Sequence, residues 1–229
     1  MLKKIEEIFL YNKSNDEIEV IHNKIVEELM ILEKEKYDQK MNELKNMKYL
    51  SVMNVIDKQE KEQLENWSGK KCYTILFDSN KHNWNINSSV FYERINGKSN
   101  LVFIVENTNN KCGYYLNGEI DQIDKYSKAK GSFLFTLKSK GSKKGMKFEE
   151  KDNAKGLYVY NTNHERLFGI FYGFTIHKKD SKDKSYIYQN SEYFDYHGNV
   201  KSFNKKLNYQ KQYDYTEFKP KRIIVIEMK

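Results

Sequence analysis

From residue 72 onward the chain is cut into short apolar runs that are too brief for helices and too regularly interrupted for one continuous element. CYTILFDS occupies 72–79, SNLVFIVE 99–106, CGYYL 112–116, SFLFTL 132–137 and FGIFYGFTI 168–176, and FKPKRIIVIE closes the series at 218–227. The runs are rich in Tyr, Phe, Ile, Val and Thr, and Asn, Gly, Asp and Ser clusters separate them. This is the pattern of β-strands bounded by turns. Ile223, Ile224, Val225 and Ile226 are apolar at every position, which predicts a central strand buried on both faces, and Pro220 stands where such a strand can begin. NTNNK at 107–111 joins two runs and suits a β-hairpin. The Lys/Gly-rich stretch 141–156 reads as a mobile loop between the runs at 133–137 and 157–160. The run at 168–176 pairs with 186–188 around KKDSKDKS. SSVFYERI at 88–95 predicts a short helix capped by Ser88 or Ser89, with Phe91 and Ile95 on one side.

Residues 1–60 have a different texture. Neither Gly nor Pro occurs before Gly69. Ser14 followed by Glu17 is a capping-box signature. Ile18, Ile21, Ile25, Leu29 and Leu32 then recur at helical steps, and Tyr37, Met41 and Leu44 continue a weaker stripe. The stripe slips between Leu32 and Tyr37, so no heptad is sustained. A helix packed on its own domain, a solvated arm and a self-associating coil through residues 16–50 all remain open. Asp57 with Glu60 opens a second helix, which Gly69 can end in the left-handed conformation. The expected division is therefore a helical segment at 1–60 and a globular domain at 61–229.

Composition narrows the function classes. The net charge is +8, distributed unevenly. Residues 1–60 carry 10 Lys against 13 Asp and Glu, or −3. The remainder carries 30 basic against 19 acidic residues, or +11. A basic domain invites RNA or acidic lipid. Only three of its cations are arginines, Arg94, Arg166 and Arg222, however, and base readout favours arginine's fork. Lys, Asn, Ile, Tyr and Phe share AT-rich codons, and a solvated surface accounts for the charge. Nucleic acid is not the expected partner. A surface binder would need Lys138, Lys140, Lys143, Lys144 and Lys147 on one face beside exposed aromatics. No apolar stretch approaches the roughly 20 residues of a membrane span, and no signal peptide is evident at the start. Cys72 and Cys112 form no CxxC, which fits a reduced, cytoplasmic protein.

Catalytic motifs are not evident: the chain has no HExxH, GxSxG, P-loop or GxGxxG. The five histidines are scattered, so no metal and no cofactor are expected.

The order of the pieces, from WSGKK at 67–71 through the strand runs to FKPKRIIVIE, resembles the TLDc domain family, in the form found in AT-rich protists, over roughly residues 65–229. The resemblance implies an α+β, mainly β fold, a two-sheet antiparallel β-sandwich with peripheral helices. FDSNKHNWNINSSVFYERI at 77–95 matches the stretch where the family carries a serine, a His-Gly or Asp-Gly turn, then a second serine and a helix. Ser79, His82 and Ser88 fall at these points, although Asn83 replaces the glycine and WNIN lengthens the turn. Glu227 matches the glutamate that closes the family's last strand. These four residues, Glu227, His82, Ser79 and Ser88, are the candidate catalytic positions. Turn formation and helix capping are the plainer roles for the serines. The resemblance further implies a non-enzymatic interaction module, associated with oxidative-stress resistance or with docking on the peripheral sector of the vacuolar proton pump. A hydrolase or peroxide-handling enzyme using a carboxylate such as Glu227 is the alternative. A basic anionic-surface binder is a further one.

Overall fold

The computed structural model describes residues 14–108, 110–138, 145–188, 192–195 and 215–229. The chain divides into two compact units at Met47/Lys48. Helix α1 (Asn15–Met53) spans the division. Its start is the expected capping box: Ser14 N donates to Glu17 Oε2 at 3.0 Å, and Glu17 N donates to Ser14 Oγ at 3.4 Å. Along the helix Ile25, Leu29, Leu32, Tyr37 and Leu44 are exposed. Helix α2 (Lys58–Ser68) is capped by Asp57 and Glu60 reciprocally and ends on Gly69 at φ 70°.

Among the described residues all strand pairs are antiparallel, in two sheets. The first contains β1 (Cys72–Asp78), β2 (Lys98–Glu106), β3 (Lys111–Ile120), β5 (Phe133–Lys138), β6 (Met146–Glu150), β11 (Phe194–Asp195) and β13 (Arg222–Met228), in the order β1-β13-β2-β3-β5-β6-β11. The second runs β12-β10-β9-β8-β7-β4, built from β4 (Tyr126–Ser127), β7 (Leu157–Val159), β8 (Arg166–Ile170), β9 (Phe174–His177), β10 (Ser185–Tyr188) and β12 (Tyr215–Phe218). The short helix α3 (Phe91–Ile95) buries Phe91 and Ile95 as expected. Val90 precedes it without a side-chain cap, and Ser89 Oγ accepts from Phe91 N at 3.3 Å.

β13 is an interior strand between β1 and β2, and its side chains alternate between two cores. Ile223 and Val225 enter the core between the sheets, while Ile224 and Ile226 enter a second core on the other face of the first sheet. Between the sheets Phe91 stacks on Phe168 at 5.3 Å and meets Phe77 edge-on at 4.9 Å. The second core joins Val52, Val55, Ile56 and Leu64 from the helical segment to Val102, Ile104, Phe133 and Phe135. The first sheet is thus covered on both faces.

Two expectations need correction. The stretch read as a mobile loop between 133–137 and 157–160 contains strand β6, which pairs with β5, whereas β7 joins the other sheet. The run at 168–176 is not one strand. It turns at Phe171–Gly173, with Tyr172 at φ 53°, and becomes β8 and β9. Its Gly173 has Ile170 and Leu134 only 3.1–3.2 Å from where a Cβ would lie. The hairpin around NTNNK forms as expected, with Glu106 opposite Lys111.

Candidate functional site

Two of the four candidate residues, Ser79 and His82, meet at the end of β1, and Ser88 follows in the turn beyond them. Asp78, 1% exposed, receives Arg222 Nε on Oδ1 at 3.0 Å and Nη2 on Oδ2 at 2.8 Å, a two-pronged ion pair. Burial alone would raise the Asp78 carboxyl, but the Arg222 bonds and the Asn80 N–H hold it below the ordinary carboxylate range. Ser79 extends the β1–β13 ladder: its N donates to Ile223 O, and its Oγ accepts from Ile223 N, both at 2.9 Å. His82 Nδ1 accepts from Asp78 N at 2.9 Å, and its ring lies 5.5 Å from Phe77. Burial first, and Arg94 second, lower its affinity for a proton. Ser88 Oγ accepts from Asn83 Nδ2 at 3.1 Å. The imidazole nitrogen nearest the ladder is thus committed to a backbone N–H rather than to a serine.

Glu227 sits apart from these three. It lies toward the other end of β13, opposite Thr74 and Leu101, with Lys229 Nζ 3.8 Å away. Five residues of strand, roughly 17 Å, separate it from Arg222. Both thiols are buried, and burial pushes each up to about 12, so neither is a ready nucleophile. Lys138 is exposed, and Lys147 pairs with Glu149 at 2.7 Å and covers the Phe133 ring. Lys140, Lys143 and Lys144 lie outside the described residues.

A feature that the sequence did not announce is the outer face of the second sheet. Odd-even alternation turns Leu157, Val159, Phe174, Ile176 and Ile187 inward. It turns Tyr158, Gly169, Thr175, Tyr186 and Tyr188 outward around a cavity of about 210 Å³. Tyr126, Tyr160, Phe171 and Tyr172 also line it, and Tyr215 lies beside Tyr186 at 5.4 Å. The rings order one another: Tyr158 meets Tyr160 at 4.5 Å, Tyr186 meets Tyr188 at 5.2 Å, and Tyr172 stacks on Tyr193 at 4.5 Å. Arg166 is the guanidinium in this surface. Its Nη1 donates to Tyr160 OH at 3.3 Å, and its charge lies 5.7 Å from that ring. Tyr172 is held at a left-handed φ that a bulky side chain rarely adopts, a strain often found at binding surfaces. Period-two placement of tyrosines was visible in SYIY at 185–188. The joining of these tyrosines with Tyr158 of β7 and Tyr126 of β4 in one face was not.

A family model for the TLDc domain matches residues 47–223, most of the chain, and the chain belongs to the TLDc family. The two antiparallel sheets with a few helices are the architecture expected from that resemblance. A comparison with curated proteins gives no match. No helix among the described residues is long and apolar enough to cross a membrane.

Proposed function

We propose that this chain is a protein-docking module of the cytoplasm that presents the tyrosine face of its second sheet to a protein partner. The observation that carries this reading is the asymmetry of the sandwich. The first sheet buries its outer face under helices, whereas the second leaves a surface of ordered tyrosines around Arg166. Tyrosine and arginine are the residue types that dominate binding energy at protein interfaces. Rings already ordered against one another lose little freedom on docking. Membership of the TLDc family supports a partner such as the peripheral sector of the vacuolar proton pump, in a response to oxidative stress. The exposed apolar positions of α1 add an arm that pairs with a second copy.

The test is co-sedimentation of the full chain with the purified peripheral sector. Wild type should bind, and the partly exposed Tyr158→Ser with Tyr186→Ser should abolish binding while leaving the unfolding midpoint within a few degrees. Binding retained by the folded double variant would sink the tyrosine face as the docking surface. Analytical ultracentrifugation of Leu29→Glu tests the arm separately: a shift of the full chain from dimer toward monomer is expected.

A further inference from the structure

At the rim of the second sheet three potential ligands converge from separate parts of the chain. Glu165 immediately precedes β8, His177 ends β9, and Asp183 lies in the loop leading to β10. The antiparallel register sets Arg166 opposite His177, and Lys178 N donates to Glu165 O at 2.8 Å, which brings the first two together. The loop then folds back. Ser181 N donates to Lys178 O at 3.1 Å, and Asp183 N donates to Ser181 Oγ at 3.1 Å, which returns Asp183 to the same place. One nitrogen of His177 and one carboxylate oxygen each of Glu165 and Asp183 all lie within 4.8 Å of one another.

The histidine supplies a second, independent observation. It is 4% exposed, it lines a cavity of about 310 Å³ together with Ser181 and Asp183, and its Nε2 has no hydrogen-bond partner among the described residues. A buried polar atom left without a partner is unfavourable, and such atoms call for an explanation. The ring is also fixed in place. His177 N donates to Ser185 Oγ at 2.9 Å, and Nδ1 lies 3.3 Å from Ser181 Oγ, which itself reaches Glu165 Oε2 at 3.5 Å.

We propose that Glu165, His177 and Asp183 form a binding site for a divalent transition-metal ion of the zinc type. One imidazole and two carboxylates suit zinc better than calcium or magnesium, which favour all-oxygen shells. Ligand atoms about 2.0–2.2 Å from zinc stand roughly 3.5 Å apart in a tetrahedron. The two carboxylates, both on exposed residues, need only close by about an ångström around the fixed ring. Three of the neighbouring cations are engaged elsewhere: Lys178 Nζ binds the carbonyls of Asn161 and Thr162, Lys184 pairs with Glu217, and Arg166 holds Tyr160. Lys179, Lys219 and Lys221 also line the cavity, and their charge opposes a cation there. Three protein ligands leave a position for water or for a donor from a partner.

Isothermal titration of the metal-stripped full chain with zinc alone, and separately with magnesium and calcium, tests the site. One zinc per chain is expected, with no comparable magnesium or calcium binding, together with a zinc-dependent rise in the unfolding midpoint. Glu165→Gln and Asp183→Asn should each weaken zinc binding by more than about tenfold. Both residues are exposed, so the metal-free unfolding midpoint should not move. Cobalt should give a visible ligand-field band that both substitutions alter. Absence of saturable zinc binding overturns the proposal. So does zinc binding that the double variant retains, since the ion would then be held adventitiously by other histidines.

Discussion

Two carboxylates in the first sheet are pushed in opposite directions, and each carries a prediction at the residue scale. Glu150 accepts from Tyr114 OH, with both carboxylate oxygens 3.3 Å from it, and burial raises its carboxyl to about 7 against the opposing effects of that hydroxyl, Lys128 and the Gly156 N–H. A carboxyl whose folded value is raised binds its proton more tightly in the native state. Its contribution to stability is therefore complete below about pH 4.5 and is lost as the pH rises through about 7. The shift corresponds to roughly 3 kcal/mol at most, and partial exposure reduces the expectation to about 1–2 kcal/mol. Glu150→Gln should remove that slope in urea-unfolding free energies measured from pH 5 to 8.5, and should be more stable than wild type at pH 8. An unchanged slope would show that Glu150 is not the titrating group.

Asp78 behaves in the reverse sense. Its lowered carboxyl contributes stability above its ordinary value, and that stability is lost as the pH falls through the depressed one. Arg222→Ala strands a carboxylate that is 1% exposed and should destabilise by about 3–5 kcal/mol at pH 7. Arg222→Lys keeps the charge but loses the fork, and should fall between the two. A loss below about 1 kcal/mol for Arg222→Ala in chemical denaturation would mean that water reaches Asp78. Neither partnership was legible beforehand, because Asp78 and Arg222 are separated by 144 positions. Ser79 and His82 stood out only through the family resemblance.

At the scale of elements, β13 is the strand whose sequence and environment agree most fully. Four consecutive aliphatics need two apolar faces, and the sandwich supplies both. Ile224→Ala and Val225→Ala lie on opposite faces, and each should destabilise, Ile224→Ala by about 2–5 kcal/mol and Val225→Ala somewhat less. Glu227→Gln, nearer the end of the same strand, should stay within about 1 kcal/mol of wild type and keep partner binding. Thermal unfolding of the three variants checks the contrast. A folded, binding-competent Glu227→Gln protein that has lost a turnover activity of the wild type would instead favour the carboxylate enzyme. β6 lies at the opposite extreme of legibility. MKFEE places a single aromatic among charges in a Lys/Gly-rich stretch, so the run alone carries no strand signal. Pairing with β5 and burial of Phe148 make it a strand. The break in the run at 168–176 was equally hidden, since it rests on Tyr172 adopting a backbone region usually left to glycine.

For the whole molecule the informative experiment is where to cut. The family match begins at residue 47, and Val52, Val55 and Ile56 pack beneath the first sheet. We propose that the autonomous unit is 48–229 rather than 61–229. The longer piece should unfold cooperatively near the full chain's midpoint. The shorter one forfeits three buried aliphatics, roughly 1.5–3 kcal/mol each, comparable to much of a domain's net stability of about 5–15 kcal/mol. Equal midpoints for the two pieces would show that these side chains are dispensable to the core. The amino-acid sequence by itself determined the strand composition, the helix caps at Ser14 and Asp57 and the burial of β13 on both faces, because each depends on contacts or periodicities a few residues long, and the order of these pieces along the chain determined the family. Only the tertiary structure decided the Asp78–Arg222 pair, the raised carboxyl of Glu150, the tyrosine face and the convergence of Glu165, His177 and Asp183. Those depend on strand order and register, which bring distant residues within hydrogen-bonding range, and on burial, which sets what each polar group requires once it arrives.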